Sequence, residues 1–229
     1  MDYSDALKRF FKSPKWTMNI VLAAVCVLIP VVGAMVLTGY CLGAIVRQLR
    51  EPDAAPPDFD FGRFVDYLTR GVWPFLVGLV AGLAVFPLIA VAALPLVLLL
   101  VLPEGPLWVI PFAGTAVLYV LAIFAVNIIM IPLTLHAGLA QEFGAAFSLA
   151  FVRDFLRLVW REAVAALLFL MVIAIPLGIC GYLACFVGVY PVAAYLTFVS
   201  WQFYLQLYRL YLERGGAPVA VKAELAADP

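Results

Sequence analysis

Three stretches, residues 73–102, 107–135 and 163–187, contain no acid and no base, and this limits what the chain can fold into more than any motif in it. Each run is apolar on every face, which rules out the alternating pattern of a membrane β-barrel strand. Each is also longer than the roughly 20 residues a helix needs to cross a hydrocarbon core of about 30 Å. A bilayer admits only segments whose backbone hydrogen bonds close internally, so the runs predict helices. Composition agrees: 66% of the 229 residues are apolar and 12% are charged, against roughly 45–50% and about 25% in soluble domains. A soluble core cannot hide that much apolar surface.

The formal net charge is zero, so no global basic field points to nucleic acid. Cys26, Cys41, Cys180 and Cys185 all lie inside apolar runs, with no CxxC pair and no histidine at ligand spacing. They read as small buried hydrophobes rather than disulfide or metal residues. Lys8, Arg9, Lys12 and Lys15 precede an apolar run, as in a signal peptide. That run, residues 17–46, far exceeds a signal core of about 7–15 residues.

The chain divides into three units of similar order, residues 1–50, 59–135 and 141–214, within one integral membrane domain. Residues 215–229 are expected to form a flexible cytoplasmic tail. Each unit reads as an amphipathic segment, a tryptophan and an apolar hairpin. In the first, Leu7, Phe10 and Phe11 oppose Lys8, Lys12 and Lys15. Residues 17–46 would then measure about 45 Å as one helix, too long for one upright crossing. Ile29-Pro30-Val31-Val32-Gly33 interrupts them, giving either a tilted, kinked helix or a short hairpin. A loop rich in proline and acid follows at residues 51–60. In the second unit Phe61, Phe64, Val65 and Leu68 set an apolar face opposite Arg63, Asp66 and Arg70, with Asp66 and Arg70 spaced for an i,i+4 pair. Pro87 and Pro95 are expected to kink the run that follows, and Pro103-Glu104-Gly105-Pro106 to turn it.

Residues 141–162 open the third unit with two rows at helical spacing. Phe143, Phe147, Phe151 and Phe155 form one, and Arg153, Arg157 and Arg161 the other, offset by two residues. Two residues are about 200° around a helix, so the rows face opposite ways. This predicts an interfacial helix whose guanidinium groups meet lipid phosphates.

The 14 lysines and arginines fall at residues 8–15, 47–70, 153–161 and 209–222, and the turns at 103–106 and 188–191 have none. If residues 17–46 form a hairpin, every basic cluster lies on one side of the membrane. If they cross once, the first cluster is cut off from the rest. The positive-inside rule therefore selects the hairpin. The expected fold is all-α: a polytopic helical membrane protein with about six transmembrane or half-membrane helices in three hairpins, three interfacial amphipathic helices and both termini cytoplasmic. The first pair is either a full hairpin or a re-entrant one.

Asp2-Tyr3-Ser4-Asp5-Ala6-Leu7, Pro14-Lys15-Trp16, Ile29-Pro30-Val31-Val32-Gly33, Gly39-Tyr40 and Arg47, followed by a Pro-rich acidic loop, resemble the opening of an uncharacterised prokaryotic membrane family, domain of unknown function 4013. The loop departs mildly from that family's pattern, reading Pro56-Pro57-Asp58-Phe59-Asp60 here. The resemblance implies a multi-pass inner-membrane protein and carries over no reaction, substrate or catalytic residue.

No Ser-His-Asp set, phosphate-binding glycine loop or HExxH occurs, so no catalytic, cofactor or metal residue is assigned. Of the polar residues inside or at the edge of apolar runs, Asn127, His136, Gln202 and Gln206 are read as intramembrane contacts between helices. The expected role is a non-enzymatic scaffold or accessory subunit that binds membrane lipids, a membrane-protein partner or a second copy, with no nucleic acid. The alternative is a transporter or channel for a weakly polar or lipid-like solute. A scaffold would bury Asn127, Gln202 and Gln206 in separate helix contacts, whereas a transporter would gather them on one cavity.

Overall fold

The computed structural model describes residues 1–101 and 109–222, and among these the only regular structure is helical. A short helix α1 (Tyr3–Lys8) passes through a 3-10 turn at Arg9–Lys12 to α2 (Trp16–Leu28) and α3 (Val32–Arg50). After the acidic loop, a 3-10 turn at Phe61–Arg63 leads into α4 (Phe64–Val101), and α5 (Val109–Ala140) follows. The third unit comprises α6 (Phe143–Ala146), α7 (Leu149–Leu183) and α8 (Val189–Glu213). The expected turn at 103–106 lies outside the described residues.

Among the described residues four helical stretches are long and apolar enough to cross a membrane: Val32–Arg50, Phe61–Val91, Ala113–Ala140 and Leu149–Leu183. The fold is thus that of a helical membrane protein. At 13 residues, α2 spans about 20 Å, short of a full crossing. α8 is not one of the four, because Gln202, Gln206 and its tyrosines lower its hydropathy.

Residues 17–46 form the hairpin rather than a single kinked helix. α2 stops at Leu28 ahead of Pro30, and Val31 takes φ of 65°, a strained value for a β-branched residue. The two helices then pack closely: a Cβ on Gly33 would fall 1.7 Å from the Cys26 carbonyl oxygen. α3 becomes the central helix, packed by α2, α4, α5 and α8, with Tyr40, Cys41, Leu42, Ala44 and Ile45 buried.

The second unit differs from its sequence reading. The amphipathic segment and the apolar run are one helix, which continues through Pro87 and Pro95. Its buried face is rotated, since Val65 is 69% exposed and Tyr67 is 2% exposed. Tyr67 enters the core because its turn meets Gly39 of α3, and Asp66 pairs with Arg63 at 3.7 Å.

The third unit opens with a break. Ser148 caps α7, its Oγ accepting the Phe151 N–H at 3.4 Å, so Phe143 lies on α6 and Phe151 and Phe155 lie on α7. α7 then carries the arginines and the apolar run as one helix, kinked at Val159 where φ is −131°. Phe155 faces protein, buried with Leu135, Leu139 and Tyr211, whereas Phe147 is exposed.

Contacts between units bring the four basic clusters together. Arg9 donates to the Pro52 carbonyl at 2.6 Å, and Lys15 lies 3.7 Å from Asp58. Arg209 donates to the Gln48 carbonyl, while Arg214 bonds the Leu158 carbonyl and Glu162. The first residues and the segment that follows α8 meet the same part of that helix: the Asp2 N–H donates to Gln206 at 2.9 Å and the Val219 N–H donates to the Tyr208 hydroxyl at 2.8 Å. The expected free tail is therefore tied down over its first residues. Gly215, at φ of 87°, reverses the chain, and the Lys222 N–H reaches the Leu139 carbonyl at 3.2 Å.

Candidate functional site

The end of α5, the start of α7 and the end of α8 converge, and there Leu135, Leu139, Phe155 and Tyr208 form a shared core. Farther along the same three helices they separate enough to leave a half-open cavity of about 220 Å³. Asn127 and Ile131 line it from α5, Ala166 and Leu170 from α7, and Ser200 and Tyr204 from α8. The wall is mainly apolar and holds no charged side chain. Asn127 donates its Nδ2 to the Ile123 carbonyl at 2.8 Å, one turn back on its own helix. Ser200 likewise returns its hydroxyl to the Leu196 carbonyl at 2.7 Å.

The other polar residues singled out in the sequence lie elsewhere. Gln206 clasps the first residues of the chain, accepting the Asp2 N–H and donating to the Asp2 carbonyl at 2.8 Å. Gln202 is buried on α8 outside the cavity. His136 stacks on Phe151, with ring centroids 4.5 Å apart and planes 19° from parallel. These residues do not share the Asn127 cavity, but Asn127 itself is exposed and bonded within its own helix rather than buried in a contact between helices. Arg153, Arg157 and Arg161 are exposed along one side of α7, opposite the buried Phe155. The Arg161 guanidinium sits 5.6 Å over the exposed Trp160 ring, a cation–π pair.

Two polar features were not legible in the sequence. Asn19 is buried at the start of α2, where it donates to Ser13 Oγ and accepts the Phe59 N–H, each at 2.9 Å. Ser13 in turn donates to Asp58 at 2.7 Å, and Tyr40 donates to the Pro57 carbonyl at 2.9 Å. The acidic loop is therefore stapled to α2 and α3 rather than lying free on the surface. Gln48, fully buried, has no hydrogen-bond partner for either side-chain amide atom among the described residues. Its place between Arg47 and Arg50 signals surface, yet it is buried, and Arg209 of α8 bonds its backbone carbonyl. Among the described residues no cluster of His, Cys, Asp or Glu could hold a metal.

The staple is expected to weaken in acid. The Ser13 hydroxyl bond, more than any other contact, holds the Asp58 carboxyl below its usual range; burial opposes it, and Asn19 and Lys15 add to the lowering. At Asp5 burial raises the carboxyl, but bonds from Lys12 and Arg9 outweigh it and the net shift is down. A depressed folded value stabilises the fold above the ordinary aspartate pKa of about 3.9, and that contribution is lost as pH falls through the lower folded value. Amide exchange in residues 2–19 is expected to accelerate as pH drops below about 4, after correction for intrinsic rates. In Asp58→Ala this acid-dependent step should shrink, and an unaltered step would exclude Asp58 as its source.

Compared with known proteins, residues 22–198 match the model of a family described as "Protein of unknown function (DUF4013)". No curated protein and no solved structure matches the chain.

Proposed function

We infer that this chain, which belongs to the DUF4013 family, is a non-enzymatic integral protein of the cell inner membrane that binds lipid as a scaffold or accessory subunit. The reading rests chiefly on where the polar groups stand. Asn127, His136, Gln202 and Gln206 occupy separate places, whereas a solute path needs such groups in one continuous lining. What the molecule offers instead is long apolar helix surface and a row of exposed arginines beside an exposed tryptophan. That pairing suits the phosphate level of a bilayer. The gathering of the basic clusters supports placing both termini in the cytoplasm. Transport of a lipid-like solute is the second reading, favoured by the Asn127 cavity alone.

Purification from the native membrane in mild detergent, followed by mass spectrometry of everything retained, tests the role. Anionic phospholipid is expected to remain bound, either with the chain alone or with a stoichiometric protein partner. Replacing Arg153, Arg157 and Arg161 with Gln should reduce the retained anionic lipid by roughly tenfold or more, since each cation near the phosphates contributes about 1 kcal/mol. Unchanged lipid in the triple variant would remove the phosphate role. Absence of both lipid and partner from the wild-type preparation would overturn the scaffold reading.

A further inference from the structure

The α5 and α7 walls of the cavity lie within stretches apolar enough to cross a membrane, and the surroundings of the cavity are apolar too. Ile129, Leu168, Val172 and Ile175 are exposed on the same helices. Whatever enters must therefore come from hydrocarbon rather than from water. Asn127 spends its donor on Ile123, but its Oδ1 accepts no hydrogen bond among the described residues, and the Tyr204 hydroxyl likewise makes none there. An amide acceptor left without a donor in an apolar medium is costly. Ser200 offers no relief, because its proton is already committed to Leu196.

We propose that this cavity binds a long-chain neutral alcohol of the bilayer, whose hydroxyl donates to Asn127 Oδ1 and accepts from Tyr204 while its chain runs out along the exposed apolar face. The assignment rests on the lipid-binding reading above and names the lipid class for this site. A phosphate or a carboxylate head would bring negative charge to a wall that has no cation to meet it. A simple hydrocarbon would leave Asn127 and Tyr204 unmet. A cavity of about 220 Å³ takes a hydroxyl head and the start of one chain, not a whole diacyl lipid.

The test uses the full chain in phosphatidylcholine nanodiscs with a hexadecanol probe carrying a mid-chain diazirine and a terminal alkyne. The same chain ending in a carboxylate is the control. After irradiation, labelled peptides are mapped by mass spectrometry. The alcohol should label residues 123–131 and 166–174 in preference to the acid. Asn127→Leu should lower that yield by roughly fivefold, the effect of one neutral hydrogen bond. Ala174→Phe, which fills the cavity without removing a polar group, should abolish it in protein whose thermal midpoint is retained. Equal labelling by the acid, or labelling spread along the lipid-facing helices and indifferent to both variants, would overturn the proposal. Anionic lipid bound at the arginine row is measured in the same samples. If it persists while cavity labelling fails, only the cavity assignment falls; if both fail, the lipid-binding reading falls with it.

Discussion

Gly39→Ala is expected to destabilise the protein by about 3 kcal/mol or more, at the upper end of what overpacking a core costs. In scanning fluorimetry this corresponds to a drop in thermal midpoint of roughly 6–12 °C. The added Cβ would stand 1.8 Å from the Tyr67 carbonyl oxygen, with the Tyr67 carbonyl carbon at 2.6 Å. Those are backbone atoms of α4, so no rotamer change can make room and the two helices must part. Gly71 makes the reciprocal contact, its Cβ position lying 1.8 Å from the Met35 carbonyl oxygen, so Gly71→Ala should behave alike. Small residues that let backbones approach are how helices gain packing where no hydrophobic force separates protein from lipid. Gly82 on the same helix is the control, with nothing within 4 Å of its Cβ position. Gly82→Ala should leave the midpoint unchanged or slightly raised, because alanine is the better helix former. Equal responses at Gly39 and Gly82 would mean that α3 and α4 do not meet at this crossing.

That crossing also marks where a reading of the sequence stops. The apolar runs, the break at Pro30 and the exposed arginine row follow from composition and helical period, and each is local. The choice of buried face is not. Tyr67 stands at the border between the apolar and the polar side of this segment, where periodicity assigns Val65 rather than Tyr67 to the buried face, and the partner glycine on α3 decides that Tyr67 goes in. Residues 141–162 fail as one helix for a different reason. Ser148, an ordinary helix-capping residue, restarts the helix in the middle of the phenylalanine row. Asn127 stands out as an amide inside an apolar run, but the wall facing it comes from α7 and α8, and no spacing rule connects residues so far apart. The Ser13, Asn19 and Asp58 staple is unreadable on the same ground: its members are unremarkable until the loop folds back on α2.

Phe155→Ala should cost about 3–5 kcal/mol, the usual effect of emptying an aromatic site in a packed core, whereas Phe147→Ala should cost under about 1 kcal/mol. Both belong to the same row in the sequence, yet Phe155 is 0% exposed and Phe147 is 37% exposed. Phe155 lies 5.3 Å from the Tyr211 ring and 5.8 Å from Phe151, joining the start of α7 to the end of α8 and, through Leu135 and Leu139, to α5. The pair of variants separates two accounts of this helix. If its aromatic side rested on the bilayer, lipid chains would close over either truncation, and both variants would lose little. If it rests on protein, Phe155→Ala leaves a void that lipid cannot fill, and the thermal midpoint should fall far below that of Phe147→Ala. The arginine row depends on the second account, because Arg153 and Arg157 flank Phe155 on the opposite side of the same turns. A helix held by Phe155 fixes where those guanidinium groups stand. The triple Arg→Gln variant should therefore lose anionic lipid at nearly unchanged stability, while Phe155→Ala should lose stability first and lipid only as the start of α7 works loose. The reverse order, with lipid lost from a Phe155→Ala protein of unchanged midpoint, would mean that the ring itself meets lipid and that the packed arrangement of α5, α7 and α8 is wrong.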